Sequence, residues 1–146
     1  MYKFTKSVFI NRSQQDVFGF LSNPANVAKW QPVIESAEWI SNGKPGIGST
    51  YRALAKMFGG KTEYLLEITH WDPPNRYSYK SIKIPFPGSI ETFFTLAPKE
   101  KGTQVTLEAQ IVTAGIFKIV ESMLGKQAEK QEGGNLDIAK QLLEAG

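Results

Sequence analysis

Between Glu35 and Thr113 the chain alternates apolar and polar residues, and after Gly115 the apolar spacing becomes helical and stays so. A period of two belongs to half-buried strands, and a period near 3.6 to an amphipathic helix. Such a chain must lay one long helix on a broad sheet, because each has an apolar face to bury. Gly59-Gly60 reads as a two-residue primed turn, the strongest hairpin signal present. Pairing Phe58 with Lys61 across it sets Met57 against Thr62, Ala55 against Tyr64, Ala53 against Leu66 and Tyr51 against Ile68. One face then holds Tyr51, Ala53, Ala55, Met57, Tyr64, Leu66 and Ile68. The other holds Arg52, Lys56, Lys61, Glu63 and Glu67, with Leu54, Phe58 and Leu65 as exceptions. The first face is expected to point inward.

Tyr2–Ile10 reads as a strand, and two helix starts follow it. Ser13-Gln14-Gln15-Asp16 has the form of a capping box. Asn23-Pro24 places a cap residue before a proline at the first helical position, and Pro32 keeps that second helix short. Further strands are expected near Glu35–Ser41, Ser49–Phe58, Arg76–Ile84, Ser89–Ala97 and Thr103–Thr113. Setting Leu96 opposite Val105 brings Phe94 to Leu107, Thr92 to Ala109 and Ile90 to Ile111. Three of those four pairs are apolar on both sides, which supports the register. A helix over about 115–144 would run roughly 45 Å at 1.5 Å per residue. Its stripes are Ile116, Ile119, Val120, Met123 and Leu124, then Leu136, Ala139, Leu142 and Leu143. Each glycine in a helix costs about 1 kcal/mol relative to alanine, so Gly133-Gly134 predicts a bend or break.

Composition narrows the chemistry. The 146 residues suit a single domain, 1–146. The absence of cysteine excludes disulfides, thiolate zinc, iron–sulfur clusters and a cysteine nucleophile. A lone histidine, His70, excludes any site that needs two imidazoles. The net charge of +3 comes mostly from scattered lysines, which argues against a nucleic-acid surface. No apolar run approaches the roughly 18 residues that span a bilayer. The first residues alternate at once, without the apolar core of a signal peptide, so a cytoplasmic protein is expected. No metal or tightly held cofactor is implied.

Strand, two short helices, six strands and a long C-terminal helix form a specific order. With it come Ser13-Gln14-Gln15-Asp16-Val17-Phe18, Asn23-Pro24 with Trp30-Gln31-Pro32, and Gly46-Ile47-Gly48-Ser49. Trp71-Asp72-Pro73-Pro74-Asn75-Arg76 and Gly102-Thr103-Gln104-Val105-Thr106 complete the set. Together they resemble the START-like, or SRPBCC, superfamily, and most of all its polyketide cyclase/dehydrase-like branch. The resemblance implies an α+β helix-grip fold, a seven-stranded antiparallel sheet curved around the C-terminal helix. It also implies a cavity between sheet and helix for lipids, sterols, polyketides or flavonoids. The expected ligand-binding residues are Tyr51, Ala53, Tyr64, Leu66, Tyr77, Tyr79, Phe94, Leu107, Val120 and Met123. Tyr77 and Tyr79 match an inward aromatic pair on the equivalent strand of the superfamily's allergen branch.

The residues themselves favour a pocket. Tyrosine joins an apolar body to a hydroxyl, so four inward tyrosines suit a flat apolar ligand with a few oxygens. The small inward residues Ala53, Ala55, Ser81 and Ala109 leave room for it. The first expectation is binding of an apolar or aromatic small molecule. The alternatives are a cyclase/dehydratase-type enzyme using the same cavity, and an interaction module of the chaperone-activator type using a surface groove or the Phe86 tip. For an enzyme, Tyr79 and His70 are the candidate proton carriers, His70 falling on the inward parity. Glu91 and Glu108 fall on the outward face.

Overall fold

The computed structural model describes residues 1–57 and 59–146. In chain order it has β1 (Tyr2–Ile10), α1 (Gln14–Leu21), α2 (Pro24–Trp30), β2 (Ile34–Trp39), β3 (Thr50–Met57) and β4 (Gly60–Asp72). Then come β5 (Arg76–Lys83), β6 (Gly88–Lys99), β7 (Gly102–Thr113), a 3-10 turn over Gly115–Val120 and α3 (Glu121–Ala145). The seven strands make one antiparallel sheet in the order β1-β7-β6-β5-β4-β3-β2. It is the expected α+β helix-grip arrangement: α1 and α2 link the two edge strands, and α3 lies along the concave face. No described helix is long and apolar enough to cross a membrane.

Both helix starts are capped as the sequence predicts. Ser13 Oγ accepts from Asp16 N at 3.1 Å, and Asn23 Oδ1 accepts from Ala25 N at 3.0 Å. The reciprocal half of the capping box is not made, because the Asp16 carboxylate takes the Arg12 guanidinium instead, at 2.8 Å. That guanidinium also donates to Leu143 O at 2.6 Å, closing the last turn of α3 with a cation.

The β6–β7 register is as expected, with Leu96 on Val105, Phe94 on Leu107, Thr92 on Ala109 and Ile90 on Ile111. The β3–β4 hairpin is displaced. Met57 pairs with Gly60, Ala55 with Thr62, Ala53 with Tyr64 and Tyr51 with Leu66. Gly59 takes the positive φ of +74°, so the turn sits one residue earlier than Gly59-Gly60 alone suggests. Every partner moves by two, an even step, and the inward face is therefore unchanged. The expected Phe58–Lys61 pair lies outside the described residues.

A second departure moves His70. The β4–β5 ladder slips between Ile68 and His70, pairing Ile68 with Tyr79 but His70 with Ser78. The bulge turns His70 to the outer face, where Nδ1 lies 2.6 Å from Ser78 Oγ. Trp71 takes the inward side instead, edge-on to Phe18 at 5.1 Å.

α3 runs without a break through Gly133-Gly134, contrary to the expected bend. Of its glycines only Gly125 serves close approach to β1, and Gly134 faces open space. A Cβ on Gly125 would fall 2.2 Å from the Tyr2 ring, and one on Gly133 would touch the Lys6 stem at 3.6 Å. The first apolar stripe fails at three of its five positions, while Leu124 faces inward. Ile116, Ile119 and Met123 are 79%, 86% and 63% exposed. A 3-10 turn has three residues per turn, so 116 and 119 stack on one outward edge. α3 then starts with Glu121 and Gly125 against the sheet, which turns Met123 outward. Glu121 holds that start: its carboxylate accepts from Thr113 N at 2.9 Å and Thr113 Oγ1 at 2.6 Å. The Met1 ammonium, at 2.6 Å, and then these bonds hold its pKa well below the usual carboxylate range.

Candidate functional site: a cavity between sheet and helix

A cavity of about 400 Å³ lies between the concave sheet and α3. Pockets of that size accept drug-sized molecules. Its floor is Tyr51, Ala53 and Ala55 of β3, Tyr64 and Leu66 of β4, Tyr79 of β5, Thr92 of β6 and Ala109 of β7. Its roof is Leu124, Ala128, Glu132 and Asn135 of α3, and Val27 of α2 closes one side. The exposed Lys56, Gln127 and Gln131 mark where it opens to solvent. The volume exists because Ala53, Ala55 and Ala109 stand where the rest of the sheet carries large side chains. Ser81 does not contribute: its hydroxyl is tied to Ile90 N at 2.9 Å.

Five of the ten expected ligand-binding residues line this space: Tyr51, Ala53, Tyr64, Leu66 and Tyr79. The other five do not. Tyr77, Phe94 and Leu107 are buried in the packed core. Tyr77 and Phe94 stack at 4.6 Å with ring planes 4° apart, and Phe18 meets Tyr77 edge-on at 5.3 Å. α1 and α2 fill that end of the concave face, which inward parity on a strand does not foresee. Val120 sits in the 3-10 turn and Met123 on the outer side of α3, for the reason given above. Between core and cavity a void of about 20 Å³ is lined by Trp30, Tyr51, Tyr77 and Tyr79. The indole Nε1 of Trp30 has no partner among the described residues.

The two candidate proton carriers are on opposite faces of the sheet, so they cannot share a substrate. Burial first, then the charge of Glu132, pushes the Tyr79 phenol far above its ordinary value. Burial does the same to Tyr51 and Tyr77. These phenols stay protonated and act as hydrogen-bond donors, not bases. Glu91 pairs with Lys80 and Gln110 on the outward face, as expected, and Glu108 opposite Thr5 and Phe93 does likewise. Phe86 is not a free tip. It is half-buried, lines the cavity and tilts against Phe117 at 6.1 Å.

The acid in the cavity is one the sequence reading passed over. Glu132 projects from α3 among tyrosines and alanines, and its Oε2 is buried with no hydrogen-bond partner among the described residues. Desolvation pushes its pKa up to about 7. The signal was present in the spacing. Gly125, Ala128, Glu132, Asn135 and Ala139 recur at three and four residues along one face, a stripe of small and polar residues. Among the described residues no group of three or more His, Cys, Asp or Glu gathers as metal ligands.

The family described as polyketide cyclase / dehydrase and lipid transport matches residues 1–144. The chain belongs to that family. No curated protein matches the sequence. Solved structures agree on the fold. The aromatase/cyclase Zhui from Streptomyces sp. R1128 superposes with a TM-score of 0.82 at 16% identity, covering 98% of this chain and 93% of its own. TTHA0849 from Thermus thermophilus gives 0.80 at 20%, covering 99% and 98%. Ara h 8.0201 gives 0.79 at 15%, covering 99% of each. At these identities the likeness establishes the helix-grip fold of the family.

Proposed function

We propose that this member of the family binds an apolar or aromatic small molecule, lipid- or polyketide-like, between the sheet and α3. The observation that carries it is the 400 Å³ space walled by Ala53, Ala55, Ala109, Leu66 and three tyrosine rings. A protein that needed this face only for stability would fill it with leucine and isoleucine. Titration with the neutral apolar dye Nile red is expected to show binding to the wild type. Ala53→Phe, which projects a ring into the space, is expected to weaken it at least tenfold, about 1.4 kcal/mol. Equal affinity in the two proteins would overturn the assignment.

A second reading, an enzyme of the cyclase/dehydratase kind in the same cavity, is favoured by Glu132. A general base works best with a pKa near the operating pH, and this carboxyl sits at about 7. It would take a proton from the carbon beside a ketone. The electron pair of that C–H bond becomes the new C=C bond and the carbonyl π pair moves onto the oxygen, where Tyr79 donates a hydrogen bond. Loss of such a base costs on the order of 10²–10⁴ in rate. With a poly-β-ketone thioester as substrate, Glu132→Gln is expected to slow cyclisation by at least about a hundredfold. Unchanged turnover removes Glu132 from the chemistry and leaves binding alone.

A further inference from the structure

The charges around the cavity narrow the kind of molecule that fits it, given the ligand-binding function proposed above. Among the described residues Glu132 is the one acid lining the space, and its Oε2 has no partner there. The one lysine of the lining, Lys56, is exposed at the opening. The other acids near the start and middle of α3 are engaged elsewhere. Glu129 accepts from Tyr2 Oη at 2.8 Å and pairs with Lys6, and Glu121 holds Thr113. A neutral hydroxyl on a ligand would need no acid, since Thr92, Asn135 and the tyrosines already offer neutral donors and acceptors. Above pH 7, where Glu132 is ionised, a carboxylate head would meet it as a like charge. A cation answers both features: it supplies the missing partner and is attracted to the tyrosine ring faces.

We propose that the ligand carries a protonated amine on its flat apolar body, seated with the ammonium on the Glu132 carboxylate beside Tyr79. The body then fills the alanine-floored part of the cavity. In this arrangement Glu132 selects against fatty acids and other ligands that bury an anionic head.

Three probes that share one ring system separate the possibilities: naphthylethylamine, naphthylethanol and naphthylacetate, titrated calorimetrically at pH 8, where the Glu132 carboxylate is ionised. The amine is expected to bind the wild type at least about tenfold tighter than the alcohol, from one charge-assisted bond and its ring contacts. The acetate is expected to bind most weakly. Glu132→Gln should bring the amine to within about twofold of the alcohol. An alcohol or acetate that binds the wild type as well as the amine overturns this inference and leaves the cavity's binding function standing. If none of the three binds at millimolar concentration while Nile red does, the amine inference falls and the binding function stands; if Nile red fails as well, both fall. The wild-type ranking decides the matter even if the variant folds poorly.

Discussion

Glu132→Gln is expected to raise the melting temperature at pH 8 by roughly 6–12 °C and to leave it nearly unchanged at pH 4. The carboxyl has a pKa of about 7 in the folded chain against an ordinary value of 4.5. Between those values the folded state keeps a proton that the unfolded state has released. Raising the pH therefore favours unfolding, beginning near 4.5 and ending above 7. A difference of that size is worth about 3 kcal/mol at alkaline pH, and glutamine removes it. The surrounding groups do not mask the effect. Tyr51 of β3, Tyr64 of β4, and Tyr77 and Tyr79 of β5 have phenol pKa values raised by burial, so they stay neutral throughout the window. Lys56 of β3 lies exposed at the opening, and Val27 of α2, with Gln31 just after it, carries no charge. Thermal unfolding of both proteins across pH 4–8 checks this. A gain at pH 4 equal to that at pH 8 would show that Glu132 is not a strained acid. Natural sequences keep such a residue where function needs it, at a cost in stability.

Phe94→Ala is expected to lower stability by about 3–5 kcal/mol, the usual loss when a buried phenylalanine is truncated to alanine. Phe94 is 1% exposed, and three aromatic residues depend on it. Tyr77 stacks on it at 4.6 Å, Trp30 meets it edge-on at 6.4 Å, and Tyr79 tilts towards it at 6.2 Å. All three, and Phe94 itself, line the small void beside the cavity, so the truncation also joins empty space to empty space. Urea unfolding measures the loss. A double-mutant cycle with Tyr77→Leu is expected to assign about 0.5–1.5 kcal/mol to the stacked pair itself. A loss below about 1 kcal/mol for Phe94→Ala would mean that this end of the concave face is not a packed core.

Much of the fold was legible because strand and helix leave different periods, and because register is a matter of parity. Leu96 on Val105 and Phe94 on Leu107 were readable, since a slip of one residue would send both apolar rows into water. The same parity placed Tyr51, Ala53, Tyr64, Leu66 and Tyr79 on the cavity side even though the hairpin turn was misplaced by one residue. His70 was misread because a bulge breaks parity without a local sign that pattern alone detects. Val120 and Met123 were misread because a 3-10 turn precedes α3 and resets the phase of its apolar face. Glu132 was missed because a helix crossing a cavity need not be apolar there. The apolar stripes of α3 lie on either side of Ala128, Glu132 and Asn135, and those three roof the site.

By itself the sequence determined the seven strands, the two capped helices, the long helix and the inward face of β3, of β4 as far as Ile68 and of β5, since all of these follow from nearest-neighbour propensity and alternation. Only the tertiary structure decided where along that face packing ends and space begins. α1 and α2 cover Tyr77 and Phe94, while the alanines of β3 and β7 face Glu132 across a gap. The physical reason is that a cavity belongs to no single segment. It is the volume left over when elements far apart in the chain are held at distances set by their largest side chains.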